Sequence, residues 1–431
     1  MASPKSPLDR RELLAGLGVS ALIPIWPASG AAQARAPLLL QARTDLLALR
    51  PAGPETPVWS LGSPEIRGKR GDTMEVGFAN DLPRPAVLNW RGLDGAQNAE
   101  PLTGRAPLAA GARETLQLPL RHAGTFLCDL GLLGDGQARA SRARALVIGE
   151  NDPVAVDRDE VLLIEDWRLR ADGTAIAPGN DPKDTTAVLT LNGLISLELT
   201  ARTNDRIRLR FINGCQRAVI AIKLDNYAVW VMAMDGQPAE PFQARNGALV
   251  LAPGGRVDTF VDVTSPAGTT STILVHDGKE ARPIGKLIVA NEPPARPAPR
   301  PPAPPLPSNG LPAQLDLKAA QRFELGPDGA RPIEFNISSP PAFRVKAGRT
   351  VVLALTNRTQ VATVFHLHGH HFRLLDRLDD GWKPFWLDTL AIEPGQTQRI
   401  AFAAEYVGRW LIESVATDWA ASRMVRWYSV E

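Results

Sequence analysis

Along most of the chain, short runs rich in Val, Leu, Ile, Phe and Thr alternate with clusters of Gly, Pro, Asn and Asp at a spacing of roughly 8 to 12 residues. That rhythm predicts short strands joined by tight turns. Strands are expected at 73–78, 206–211, 248–251, 259–263, 350–355 and 399–402, and no long segment of 3.6-residue periodicity competes with them. The pattern belongs to β-sandwiches and not to βαβ units.

Breaks in the pattern divide the chain. The run PPARPAPRPPAPPLP at 293–307 cannot join a central strand and is expected to lie extended as an interdomain strap. A softer boundary falls near Glu150-Asn151-Asp152-Pro153, after an apolar stretch at 145–148. At the N-terminus, Arg10-Arg11 is followed by Glu12-Leu13-Leu14, a mildly apolar stretch to Ile25, and Ala32-Gln33-Ala34. This order predicts a twin-arginine export signal at 1–34, cleaved near Ala34, a periplasmic product and no stable membrane anchor. The expected division is therefore 38–150, 153–292, a Pro-rich linker at 293–310, and 311–431.

Charge narrows the partners. The 48 Lys plus Arg against 46 Asp plus Glu leave a formal charge of +2 without a basic run. Nothing there suits a nucleic acid or an anionic membrane surface. The expected partners are the export machinery and periplasmic protein. Cys128 and Cys215, the two cysteines of the sequence, fall in different expected domains and read as free thiols.

Four motifs carry a resemblance. Phe78-Ala79-Asn80-Asp81-Leu82, continuing to Leu88-Asn89-Trp90-Arg91-Gly92-Leu93-Asp94-Gly95, resembles the first copper motif of multicopper oxidases, with Asn89 and Arg91 at the two histidine positions. Gly124-Thr125-Phe126-Leu127-Cys128-Asp129-Leu130-Gly131 is similar to the second, with Asp129 and Gly131 where histidines stand. Thr363-Val364-Phe365-His366-Leu367-His368-Gly369 matches the third and keeps two of its three ligands. The last is matched by Glu413-Ser414-Val415 through Trp419 to Met424, where only the axial methionine remains. Second-domain segments such as Met234-Asp235-Gly236 and Gly254-Gly255-Arg256-Val257-Asp258 have the family's texture and speak to fold. The resemblance implies an all-β protein of three cupredoxin-like Greek-key sandwiches, with a trinuclear copper site between the first and third.

Ligand count then bears on function. A mononuclear copper of this family takes a Cys thiolate and two imidazoles, with a weak thioether. Here the matching positions hold Thr363, Ser414 and Trp419, beside Met424. A hydroxyl does not replace a thiolate, and an indole N–H only donates. At the trinuclear positions, His366 and His368 remain, while Asn89, Arg91, Asp129, Gly131, Glu413 and Val415 fill the others. The replacements are charge-complementary. Arg91 is expected to bridge Asp129 and Glu413, with His366 and His368 hydrogen-bonded in the same pocket.

His366, His368 and His370 alternate and would share one face of a strand. With Asp129, Glu413 or Met424 they form the candidate set for a single Cu or Zn, although no cofactor is expected, because Arg91 would repel the ion. His122 and His276 stand alone and read as ordinary surface or partly buried residues. Met232 and Met234 read as core. The expected function is a non-catalytic periplasmic scaffold or stabilising protein, similar to the SufI/FtsP type of degenerate multicopper oxidase homologue associated with cell division. The rivals are a periplasmic copper- or zinc-binding protein and a divergent copper-dependent oxidoreductase.

Overall fold

The computed structural model of the chain describes residues 37–62, 65–137, 139–326, 338–376 and 381–431, with the backbone of 331–332. The expected export signal lies outside these residues. Among them, helical structure is limited to three short turns, Gln97–Ala99, Gly131–Leu133 and Arg245–Gly247, and no helix is long and apolar enough to cross a membrane.

The strands fall into three successive groups, each of two sheets. In the first group, Thr56–Leu61, Leu38–Leu47, Thr73–Asn80 and Arg113–Pro119 form one sheet, in that spatial order. Ile66–Lys69, Arg144–Gly149, Gly124–Asp129 and Asn89–Arg91 form the other. The second group has six strands against five. In the third, Gln321–Leu325, Thr350–Thr356, Thr397–Ala403 and Arg373–Leu374 face a sheet built around Thr363–Leu367, Gly408–Ala416 and Met424–Val430. Each pair of sheets closes on its own apolar core, for example Leu40, Phe78, Trp90, Phe126 and Ile148 in the first and Val351, Phe372, Phe402, Trp410 and Tyr428 in the third. The expected strands all occur, because alternation in these segments buries one face while the turns absorb the breaks.

The Pro-rich run at 293–310 carries no strand or helix and lies along the second group. Arg206 donates to the carbonyl oxygen of Pro301 (2.7 Å), Leu306 is buried against Met232 and Phe260, and Asn309 pairs with the main chain of Ala123 in the first group. Direct contacts also join the first and third groups, where Gly95 donates its N–H to Gly369.

Candidate functional site

The first and third groups meet over two short strand pairs, and strand alternation selects which side chains face the junction. Asn89 and Arg91, two apart on Asn89–Arg91, point out of the first sandwich while Trp90 between them packs into its core. Asn89 lies directly opposite Asp129. Across the junction, His366 pairs with Glu413, so these two share a face with Val364 and Val415. Phe365 pairs with Ser414, and Ser414 with Met424, so these residues face the other way.

At the junction Arg91 reaches both carboxylates. Its Nε donates to Asp129 Oδ2 (2.8 Å) and its Nη2 to Glu413 Oε2 (3.1 Å). Glu413 also accepts from Asn89 Nδ2 (2.9 Å), His368 Nε2 (2.7 Å) and Arg423 Nη1 (2.6 Å), so both of its oxygens carry two donors. Asp129 accepts a second bond from the N–H of Gly131 (2.7 Å). His368 Nδ1 lies 3.0 Å from Glu100 Oε1. Arg91, Asp129, Glu413, His366 and His368 are all buried.

Burial alone pushes Glu413 up, but Arg91, Arg423 and His368 outweigh it and hold the carboxyl well below its usual value. Burial likewise opposes charge on His368, yet Glu100 and Glu413 raise its pKa to about 9. Arg91, Arg423 and the His368 imidazolium therefore balance Asp129, Glu413 and Glu100 in a closed network.

His366 has a different state. Thr389 gives its hydroxyl hydrogen to Asp388 Oδ1 (2.7 Å), so it accepts from His366 Nδ1 (2.9 Å). The ring is then neutral with its lone pair on Nε2, which has no protein partner. Burial lowers this pKa to about 4. His366 borders a void of about 30 Å³ shared with Arg91, Asp129, Arg423 and Cys215, room for a water molecule or two.

The structure separates two of the expected ligands from this group. His370 does not share the face of His366 and His368, because the strand ends at Leu367 and Gly369 turns the chain with φ of 76°. Tyr428 gives its hydroxyl hydrogen to the carbonyl oxygen of His368 (2.7 Å) and so accepts from His370 Nδ1 (2.8 Å). His370 Nε2 accepts the N–H of Tyr406 (3.1 Å), which leaves this ring no free lone pair. Met424 is also elsewhere. It lines a mainly apolar cavity of about 230 Å³ with Thr363, Phe365, Ser414 and Ile412, on the opposite face of the same sheet. Thr363 spends its hydroxyl hydrogen on Asn357 Oδ1 (3.0 Å). Trp419 turns away, donating to the carbonyl oxygen of Ala177 in the second group (3.2 Å).

His122, expected at the surface or partly buried, is a further correction, for it is buried. It belongs to a second cluster that also holds Asp94 and His371. His276 is exposed, as expected, and Met232 is core. Both cysteines are free and buried; desolvation raises their thiol pKa values well above the ordinary range.

Sequence reasoning missed Arg256 and Asp388. Arg256 donates from Nη1 and Nη2 to the two oxygens of Asp388 (2.8 and 2.6 Å), tying the second group to the third, and its own N–H goes to Asp235 Oδ1 (2.9 Å). It missed the arginines of Arg206–Asn213 as well, a wholly buried strand in which Arg208 and Arg210 both reach Asp258. Basic residues alternating inside an apolar strand were the available signal.

The ligand atoms of His366, His368 and Glu413 lie close enough to one another to hold a single ion, but the residues present do not supply the ligand set of a multicopper centre. Both nitrogens of His368 face carboxylates, Glu413 is saturated by donors, and two guanidinium groups occupy the space beside His366. On the other face, neither a thiolate nor an imidazole accompanies Met424 in the cavity lining.

The fold nevertheless has well-defined relatives. A family model described as "Multicopper oxidase" matches residues 307–431. The chain is 24% identical over 414 residues to multicopper oxidase MmcO of Mycobacterium tuberculosis, covering 82% of this chain and 78% of the relative. It is 26% identical over 238 residues to laccase-8 of Oryza sativa subsp. japonica, covering 48% of this chain and 41% of that one. Among solved structures, a multi-copper oxidase from Pseudomonas thermotolerans superposes with a TM-score of 0.79 at 22% identity, covering 92% of this chain and 99% of that one. Lac15 from a marine microbial metagenome gives 0.75 at 25% identity, with 92% and 100% covered. The fold is that of multicopper oxidases, and the sequence relatives support that family.

Proposed function

From the multicopper oxidase fold, we propose that this chain works without a copper cluster, as an exported scaffold or stabilising protein. The observation that supports this most strongly is the place of Arg91, whose guanidinium lies between Asp129 and Glu413 at 2.8 and 3.1 Å. A fixed cation with directed donors there joins the first and third sandwiches, while Glu413 carries two donors on each oxygen and His368 lies between Glu413 and Glu100 (2.7 and 3.0 Å), an ion-paired arrangement unlike the imidazole set of an oxygen-reducing centre. The sequence relatives are named as oxidases, so activity is the discriminating readout. Supplied with copper and phenolic dye or cuprous ion, the purified protein consumes no oxygen beyond a copper-salt control; sustained uptake overturns the proposal.

The signal-like N-terminus supports export to the periplasm, and a chain retained in the cytoplasm contradicts it. The resemblance to the SufI/FtsP type supports a role alongside the division machinery. Normal division of a deletion strain under envelope and salt stress removes that part of the proposal.

A further inference from the structure

A second polar cluster lies where all three sandwiches and the Pro-rich strap converge, away from the Arg91 network. Asp94 and His122 come from the first sandwich, Gln237 from the second and His371 from the third. All four are buried. The ligand atoms of Asp94, His122 and His371 lie within 4.8 Å of one another. His371 Nδ1 is 2.9 Å from both Asp94 oxygens, and His122 Nδ1 is 3.5 Å from Asp94 Oδ2. Gln237 Nε2 lies 3.0 Å from His122 Nδ1 and 3.4 Å from His371 Nδ1. Donors about 2.0 Å from a tetrahedral Zn²⁺ stand about 3.3 Å apart. The ligand-to-ligand separations of 2.9 and 3.5 Å about Asp94 bracket that edge, and Gln237 Nε2, 3.0 and 3.4 Å from the two imidazoles, marks where the amide would bring a fourth donor.

The surroundings are of the kind that hold a metal ligand in place. His371 Nε2 donates to the carbonyl oxygen of Asp235 (2.8 Å), which aims Nδ1 at the cluster. Asn309 is locked by Ala123, accepting its N–H (2.9 Å) and donating to its carbonyl (2.8 Å), and it then donates to Gln237 Oε1 (3.0 Å). Gln237 therefore presents its NH₂ to the lone pair of His122 Nδ1 and lies beside His371 Nδ1, whose proton goes to Asp94, so a neutral donor stands where a cation would meet His122. A void of about 10 Å³ opens beside Asp94, His371, Glu405 and Tyr406, the size of a single water.

We propose that Asp94, His122 and His371 form a binding site for one divalent cation of the zinc type, with the carboxylate and two Nδ1 atoms as ligands and the Gln237 amide as the fourth donor. As the ion enters, the proton shared by His371 Nδ1 and Asp94 leaves to solvent, and no group changes oxidation state. The Gln237 amide turns to offer Oε1 at the cost of the hydrogen bond it accepts from Asn309 (3.0 Å), whose Nδ2 keeps the carbonyls of Ala123 and Gly236 as acceptors (2.8 and 3.2 Å). The site ties the three sandwiches through one ion.

The test is equilibrium dialysis of the chelator-stripped mature protein against zinc chloride, with thermal unfolding alongside. About one zinc per chain and a raised unfolding temperature are expected, as is loss of that zinc in Asp94→Asn and His122→Asn with retention in His366→Gln. Gln237→Glu presents a carboxylate oxygen without turning, so it binds zinc at least about tenfold tighter. That variant decides the matter if the others do not fold. An unaltered chain that stays below half a zinc, zinc that survives His122→Asn but not His366→Gln, or unchanged affinity in Gln237→Glu each overturns the site.

Discussion

Replacing Arg91 by Met keeps most of the side-chain volume and removes the cation between the first and third sandwiches. Removing one partner of a buried ion pair typically costs about 3 to 5 kcal/mol, since the remaining charge stays buried. Here Glu413 keeps Arg423, His368 and Asn89, and Asp129 keeps the N–H of Gly131, so the lower end, about 3 kcal/mol, is expected. With an unfolding entropy of about 2.1 cal/mol/K per residue, a unit of about 120 residues unfolding alone loses about 12 °C for that cost. A chain of about 395 residues unfolding in one step loses about 4 °C. Calorimetry with urea titration reads both. Adding Asp129→Asn and Glu413→Gln removes the stranded charges and is expected to restore at least half of the loss. A cost below about 1 kcal/mol for Arg91→Met, or no recovery in the triple variant, refutes the network as the joint between the sandwiches.

Stability is expected to peak near pH 6.5. His368 and His371 have folded pKa values raised to about 9 by their carboxylates against the opposing effect of burial, so their contribution is full below the unfolded value of about 6.5 and is lost as pH rises through 9. Burial lowers His366, His370 and His122 to about 4, so the unfolded chain takes up their protons first and stability falls as pH drops from 6.5 toward 4. Urea unfolding across pH checks both limbs, and a flat profile contradicts them. Gly369→Ala puts a Cβ 2.3 Å from the Trp410 ring at a φ of 76°, and is expected to cost at least about 3 kcal/mol in the same assay. Cys128 and Cys215 are expected to resist a thiol reagent in the native protein and to titrate as two thiols on denaturation.

The sandwiches were legible because period-2 alternation and turn residues act locally. The Arg91 bridge was legible too, since the motif positions alone bring Asn89, Arg91, Asp129 and Glu413 together. His370 was misread because alternation was carried past Gly369, where a positive φ ends the strand's facing rule. Met424 was misread because its facing depends on pairing with Ser414, a register that composition does not reveal. The Asp94, His122 and His371 cluster gathers residues from distant turns, and His122 had no motif around it to mark it as buried.

The most direct test of a copper-free function is the visible spectrum and oxygen consumption of the purified protein after loading with copper. No intense thiolate-to-copper band and no oxygen uptake above copper salt alone is the predicted result. A blue band, or reduction of dioxygen to water with several coppers retained per chain, would contradict the account.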